Sequence, residues 1–190
     1  MNASASQINY KTSWLLAEAT GRSHVTTVLQ EVQQRRGITS KDVLELGSGV
    51  GTNLLVLSAD NRVRGVEGLE AAVCEAQSPG IDTLQANLEA ELPLEDNSAD
   101  WILCIDVLEH LLNPAVCLAS AHRILRDDGR LIINVPNHFD WHGRMRILSG
   151  SGIDSQRYFP DSSHWKYPHV RFFQRATIEA FLAEGGFTVE

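Results

Sequence analysis

From residue 42 onward the chain alternates between short apolar runs and stretches of mixed spacing, each closed by glycine, proline, asparagine or aspartate. Asp42-Val43-Leu44-Glu45-Leu46 predicts a short strand ending in a glycine-rich turn, with a short helix from about Thr52 to Ser58. Arg62 to Glu67 predicts a second strand, and Glu70 to Gln77 a second helix stopped by Pro79-Gly80. Thr83 to Ala86 reads as a brief third strand. Asp100-Trp101-Ile102-Leu103-Cys104-Ile105 is almost wholly apolar, the pattern of a central strand covered on both faces. Asn113-Pro114 opens a helix, because proline is tolerated in the first turn. That helix is expected to run to about Arg126 and to stop at Asp127-Asp128-Gly129. Arg130 to Val135 predicts a fifth strand and Thr177 to Glu184 a last helix closed by Gly185-Gly186. Phe187 to Glu190 reads as the start of another strand.

Strands alternating with helices imply an α/β domain built on a parallel, doubly wound sheet with helices on both faces. A strand that begins in the last four residues leaves little chain to finish a sheet, so a shortened chain with an incomplete sheet edge is expected there. Residues 1–12 are polar. Over 13–36, Trp14, Leu15, Leu16, Val25, Val28, Leu29 and Val32 recur at roughly helical spacing, so 1–40 is expected to be a helical segment leading into one domain over 41–190. Between Pro136 and Val170 lies a long segment rich in His, Trp, Tyr, Asp and Gly, and a loop of that length without structure of its own is usually functional.

At 190 residues and 43% hydrophobic, the chain is long enough for one such domain with a real core. Its net charge of -8 and sequence pI near 5.3 disfavour a phosphate-backbone partner, so nucleic acid is a poor first candidate for a substrate. The three cysteines, Cys74, Cys104 and Cys117, are odd in number and lack CxxC spacing, and two lie in apolar stretches, so free thiols in a reducing compartment are expected. No apolar run approaches membrane-spanning length, and Met1 to Ser6 lacks the charged and apolar regions of a signal peptide. The expectation is a cytoplasmic protein without membrane insertion; oligomeric state is left open.

The chemistry begins at Gly47-Ser48-Gly49-Val50-Gly51, placed between a strand and a helix. Glycine lets the backbone turn sharply and lets a ligand approach the main chain, and the following helix N-terminus offers N–H groups to an anion. The spacing is GxGxG, whereas the dinucleotide fingerprint is GxGxxG. Glu67 ends the second strand twenty positions after Gly47, where a carboxylate on the ribose hydroxyls is expected.

Val43 to Gly51, Gly65-Val66-Glu67, Leu92-Pro93-Leu94 with Asp100, and Asp106-Val107-Leu108-Glu109-His110-Leu111 together resemble class I S-adenosylmethionine (SAM) methyltransferases over about 41–190. His169-Val170-Arg171-Phe172-Phe173 narrows the likeness to the MetW-like and ubiquinone-type small-molecule branch. The resemblance implies a Rossmann-like fold with SAM as cofactor. It implies that Glu45, Gly47, Ser48, Gly49 and Gly51 surround the methionine end, Glu67 holds the ribose, and Gly68 and Leu69 lie beside the adenine. Asn87, with Leu88 after it, stands where relatives often carry an Asp that accepts from the adenine amino group, and its amide oxygen can still accept. Ile105 and Asp106 would line the methionine arm.

At the acceptor end, Asp106, Glu109 and His110 are spaced i, i+3, i+4 and would share a face if a helix starts at the strand's end. With the distant His169 they resemble the metal set of small-RNA 2′-O-methyltransferases, so a divalent ion such as Mg²⁺ on Asp106, Glu109, His110 and His169 is one expectation. The others are a structural role for Glu109 and His110, or His110 as a metal-free general base. His138-x-x-x-His142 has loop-like flanks and no third ligand in sight, so a surface or acceptor-pocket role is expected for both. Phe139, Trp141, Tyr158, Phe159, Trp165 and Tyr167, with Arg144, Arg146, Arg157 and Lys166, read as lid and acceptor pocket. The favoured reading is methyl transfer to a small molecule, oxygen ahead of nitrogen or carbon. Its rivals are a non-catalytic SAM-binding subunit and a nicotinamide-dependent oxidoreductase on the same fold.

Overall fold

The structure is a computed structural model and describes residues 24–150 and 169–190. The strands are β1 (Asp42–Leu46), β2 (Arg62–Glu67), β3 (Asp82–Gln85), β4 (Ala99–Ile105) and β5 (Leu125–Asn134). The helices are α1 (His24–Arg36), α2 (Thr52–Leu57), α3 (Glu70–Gln77), α4 (Pro114–Ile124), α5 (Trp141–Leu148) and α6 (Arg175–Glu184), with a 3₁₀ turn at Leu108–His110. The strands form one sheet in the order β3-β2-β1-β4-β5, and every pairing is parallel.

The near-continuous apolar run on β4 has a direct cause. Its alternate side chains enter two separate cores. Ile102 and Cys104, with Leu44 and Leu46 of β1, meet Cys117, Ala121 and Ile124 of α4 and Ile178 and Phe181 of α6. Trp101, Leu103 and Ile105, with Val43, meet Val25 and Leu29 of α1, Leu54 and Leu57 of α2 and Ala76 of α3. Helices therefore cover both faces, as the sequence predicts. Cys104 and Cys117 are buried and Cys74 is exposed, all three free. Among the described residues no helix is long and apolar enough to cross a membrane.

Three expectations need correction. The helix that was to reach Arg126 stops at Ile124, and β5 begins at Leu125, which is buried and paired with Ala99. The ladder then shifts register and resumes at Trp101 opposite Arg130. Arg126 is drawn away to two acids at the starts of β1 and β4, Asp42 at 2.9 Å and Asp100 at 2.7 Å. Phe187 to Glu190 does not pair as a strand. Instead Phe187 packs edge-on against His122 with centroids 5.4 Å apart, and Glu190 bridges Arg36 and Arg130, so β5 ends the sheet on that side. The supposedly structureless segment after β5 holds α5, whose first turn is capped by Asp140 accepting from the Gly143 N–H at 2.7 Å. Part of the N-terminal segment and residues 151–168 lie outside the described residues.

Ile102 is fully buried at the centre of the sheet, whereas Leu55 on α2 is 43% exposed. Ile102→Ala is expected to lower the unfolding free energy by about 2–5 kcal/mol, and Leu55→Ala by less than about 1 kcal/mol, measured by urea denaturation.

Candidate functional site

β1 and β4 are neighbours, yet the chain leaves them for opposite faces: α2 packs with Val43 and Leu103, α4 with Leu44 and Ile102. Their C-terminal ends therefore mark the point where the winding reverses, the usual ligand position in open α/β sheets. The glycine loop stands at one side of it. Gly47, Gly49 and Gly51 have φ of 75°, 53° and 81°, the left-handed region that glycine enters without strain. A Cβ on Gly47 would collide with Val107, which follows β4, so close contact between the two loops requires glycine here. The N–H groups of Gly47 and Ser48 both donate to the Val66 carbonyl, at 2.8 and 3.1 Å, tying the loop to β2.

Glu67 reaches this loop from the end of β2. Its Oε2 accepts from the Gly49 N–H at 3.0 Å and its Oε1 from the Leu69 N–H at 2.9 Å, so the carboxylate straps the glycine loop to the turn after β2. Gly68 lies between those contacts, and Leu69 packs on Val50 and Ala72. Ser48 is buried against Gly65, which turns its hydroxyl into the sheet. Asn87 is exposed and closes a local turn, its Oδ1 accepting from the Glu89 N–H at 3.0 Å, while Leu88 is buried in the core. Ile105 is buried on the opposite core.

Glu45 lies beneath the loop and is 1% exposed. Its Oε1 accepts from Asn53 Nδ2 at 2.7 Å, and among the described residues Oε2 receives no hydrogen bond. Burial pushes its carboxyl from the ordinary 4.5 to about 8, against the Asn53 hydrogen bond and helped by the charge of Glu67.

The second cluster follows β4. Asp106 takes φ of 52° and does not enter the 3₁₀ turn that carries Glu109 and His110, so the expected three-residue face does not form. Its Oδ1 accepts from Asn134 Nδ2 at 2.6 Å, which directs it to the end of β5. Glu109, His110 and His169 do converge: one potential ligand atom from each lies within 4.8 Å of the others, and all three are buried. The backbone enforces this. The Glu109 carbonyl accepts from the N–H groups of Val170 and Arg171, at 2.9 and 3.1 Å. Glu109 is fully buried, and neither of its oxygens receives a hydrogen bond from another described residue. Burial first, and then the charge of Asp106, raise its carboxyl to about 8. Burial, with His110 and His138 nearby, lowers His169 to about 3.

Of the surface or acceptor-pocket role expected for His138, its burial rules out the surface position. His138 is 2% exposed, and its Nε2 lies 2.8 Å from His169 Nδ1, while His142 sits on the exposed side of α5. The two partners are 31 positions apart, so no local spacing could pair them. Of the expected acceptor pocket, Phe139 is half-buried, Trp141 is 70% exposed, and Arg144 donates to the Phe139 carbonyl at 2.8 Å. Arg146 is exposed on α5, and Tyr158, Phe159, Trp165, Tyr167, Arg157 and Lys166 lie outside the described residues.

A doubly wound parallel sheet with a glycine loop and an acidic strand end at its switch point defines a Rossmann-like nucleotide-type domain. The family model described as a methyltransferase domain matches residues 22–190, and the chain belongs to that family. The cofactor this membership implies is SAM. The chain is 39% identical over 102 residues to a probable SAM-dependent methyltransferase of Mycobacterium tuberculosis, covering 52% of this chain and 37% of that protein. It is 33% identical over 153 residues to one of Mycolicibacterium smegmatis, covering 79% and 53%. A ubiquinone biosynthesis O-methyltransferase of Pseudomonas aeruginosa is 25% identical over 113 residues, covering 56% and 49%. The chain thus spans between about a third and about half the length of these curated relatives. The crystal structure of a SAM-dependent methyltransferase from Aquifex aeolicus shares the fold, with TM-score 0.70 at 18% identity, covering 95% of this chain and 90% of that one.

Because Glu45 holds a proton in the folded state that the unfolded chain has already released above its ordinary 4.5, its contribution to stability falls as pH rises from about 5 to about 8. Glu45→Gln keeps an acceptor for Asn53 and removes the titration. Urea denaturation across that range is expected to show a shallower pH slope in the variant, by up to about 1.4 kcal/mol per pH unit.

Proposed function

We propose that this chain binds SAM at the carboxyl ends of β1 and β4 and transfers its methyl group to a hydroxyl oxygen of a small molecule. The observations that carry the reading are the left-handed glycine loop after β1, packed at Gly47 against Val107, and the Glu109–His110–His169 cluster, whose first two members lie in the turn after the neighbouring β4. The left-handed glycines and the nearby Glu67 carboxylate support a nucleoside ligand whose methionine portion follows the loop. An oxygen acceptor is favoured by the 25% identity to the ubiquinone biosynthesis O-methyltransferase. The net charge of -8 supports a small molecule over a nucleic acid.

In the reaction an acceptor oxygen attacks the methyl carbon, the carbon–sulfur bond breaks with its pair going to sulfur, and S-adenosylhomocysteine leaves. The sulfonium needs no acid, so positioning does most of the work, and the acceptor proton needs a place to go. His110 is the group assigned to take it. In the alternative, with His110 a ligand and not the base, Glu109, His110 and His169 would hold a divalent ion, since a buried carboxyl without donors beside two imidazoles fits one. Asp106 does not join them. Two imidazoles and one carboxylate are a softer set than the all-oxygen shell Mg²⁺ favours, so Mn²⁺ or Zn²⁺ fits better than the Mg²⁺ expected from sequence. Such an ion, when bound, would acidify an acceptor hydroxyl.

Calorimetry is expected to show binding of SAM and S-adenosylhomocysteine and none of NAD; NAD binding without a SAM signal would overturn the reading. Glu67→Ala should weaken S-adenosylhomocysteine by on the order of 1–3 kcal/mol, the scale of a hydrogen bond to a charged group. Methyl transfer in EDTA, followed by Mn²⁺ add-back, separates the metal from the bare base: full activity in chelator leaves His110 acting alone.

A further inference from the structure

α5 leaves the domain close to the candidate site, and no residue of it is buried. A helix of two turns is marginal in water by itself, and short helices persist mainly by packing an amphipathic face. The two sides of this helix differ. A Cβ at Gly143 would lie 2.5 Å from the His138 carbonyl oxygen, so the Gly143 side faces the domain. Trp141, Met145 and Leu148, spaced i, i+4 and i+7, share the opposite side. They are 70%, 45% and 80% exposed, so the apolar stripe of this helix is turned to solvent.

The stripe has apolar neighbours at the same end of the domain. His138, which meets Gly143 on the inner side, has the Phe172 ring 4.9 Å from its own, centroid to centroid. Phe172 and Val170 are exposed, and so is Leu112, whose carbonyl accepts from Arg171 between them. Scattered apolar side chains are ordinary on a protein surface, whereas a group of them at one end marks an interaction site.

The charge at this end runs against that of the chain. The net charge is -8, yet 141–148 holds Arg144 and Arg146 and no acid, and Arg171 follows Val170. Tryptophan, methionine and leucine on one side of a helix, with arginine beside them, suit the surface of an anionic bilayer. A second protein molecule fits less well. A stable protein interface takes about 20–30 residues a side, and this stripe offers three side chains over two turns. The acidic remainder of the chain is repelled by such a membrane, so the basic end is the one that approaches.

We infer that α5 is an interfacial anchor: Trp141, Met145 and Leu148 enter the surface of an anionic membrane, and Arg144, one turn before Leu148, meets its phosphate groups. This is attachment to one leaflet, not a span. It stands on exposure and charge and does not depend on the methyl-transfer reading. Anchoring there would turn the end of the sheet that carries the candidate site toward the bilayer.

Sedimentation of the full chain with vesicles, without cofactor or acceptor, tests the anchor. Binding to mixed phosphatidylglycerol–phosphatidylcholine vesicles is expected, weakening as salt is raised, with little binding to phosphatidylcholine alone. Met145→Gln/Leu148→Gln should lower the partition coefficient at least about tenfold, and Arg144→Gln about fivefold. Val28→Gln/Leu55→Gln, on exposed apolar residues of α1 and α2, should leave it unchanged. All of these positions are exposed, so urea midpoints close to that of the unaltered protein are expected and report that each variant is folded. Failure to bind the anionic vesicles overturns the inference, as does equal binding by a folded Met145→Gln/Leu148→Gln variant. Self-association in sedimentation velocity that the same variant abolishes also overturns it, giving the stripe to a second copy of the chain. No SAM binding by a protein with the expected vesicle pattern sinks the function proposed above and leaves the anchor standing.

Discussion

Between β1 and β4 the chain leaves two adjacent parallel strands in opposite directions, one toward the core lined by Val43 and Leu103, the other toward the core lined by Leu44 and Ile102. Adjacent strands that depart to opposite faces place the usual ligand position of an open α/β sheet at their carboxyl ends. The site residues are placed by this constraint. Glu45 and Gly47 to Gly51 follow from β1, Asp106 to His110 from β4, and Glu67 from β2 next door. Gly47 packs against Val107 there, which is why a side chain at 47 would separate the loops it must join. Farther along, the Asn137–Phe173 bridge and the Val170 and Arg171 N–H bonds to the Glu109 carbonyl bring the last segment against the same end of the sheet.

The electrostatics of the site repeat one arrangement. Glu45 and Glu109 are each fully buried, each has an oxygen that receives no hydrogen bond among the described residues, and each lies near a second carboxylate, Glu67 or Asp106. Desolvation and like charge both oppose ionisation, so each is held neutral to about pH 8. Such groups stabilise a fold poorly. They respond strongly to an arriving cation, because the water that would screen it is already excluded.

Most of the sheet was legible because its signals are local. Period-two alternation into two cores makes β4 apolar throughout, and glycines stand where the chain turns after β1. The boundaries that were misread depended on distant partners. Arg126 leaves the helix for Asp42 and Asp100, 84 residues away in the first case. Glu190 leaves the strand pattern for Arg36 and Arg130. In the site, the family resemblance had set His169 with Glu109 and His110, and these three converge, but the i, i+3, i+4 face that included Asp106 does not form, because a left-handed residue breaks the helix geometry that such reasoning assumes. The contact of His138 with His169 was not legible for the opposite reason: that partner is reached through the fold, and His142, its apparent sequence partner, is exposed.

The histidine cluster is also the place where local chemistry and global packing disagree. Three imidazoles and a carboxyl would each be better hydrated outside, and their burial stabilises nothing by itself. The fold nevertheless holds them together by means that do not depend on their mutual attraction: two backbone bonds to Glu109, the Asn137–Phe173 bridge, buried Phe173, and Arg171 Nε donating to the Leu111 carbonyl at 2.9 Å. If the cluster were only a packing solution, apolar residues on the same backbone frame would serve as well, and burying ion-forming groups is often unfavourable against such replacements. A frame this well anchored around groups this poorly suited to burial is what the proposed role of the cluster in acid–base or metal chemistry would require.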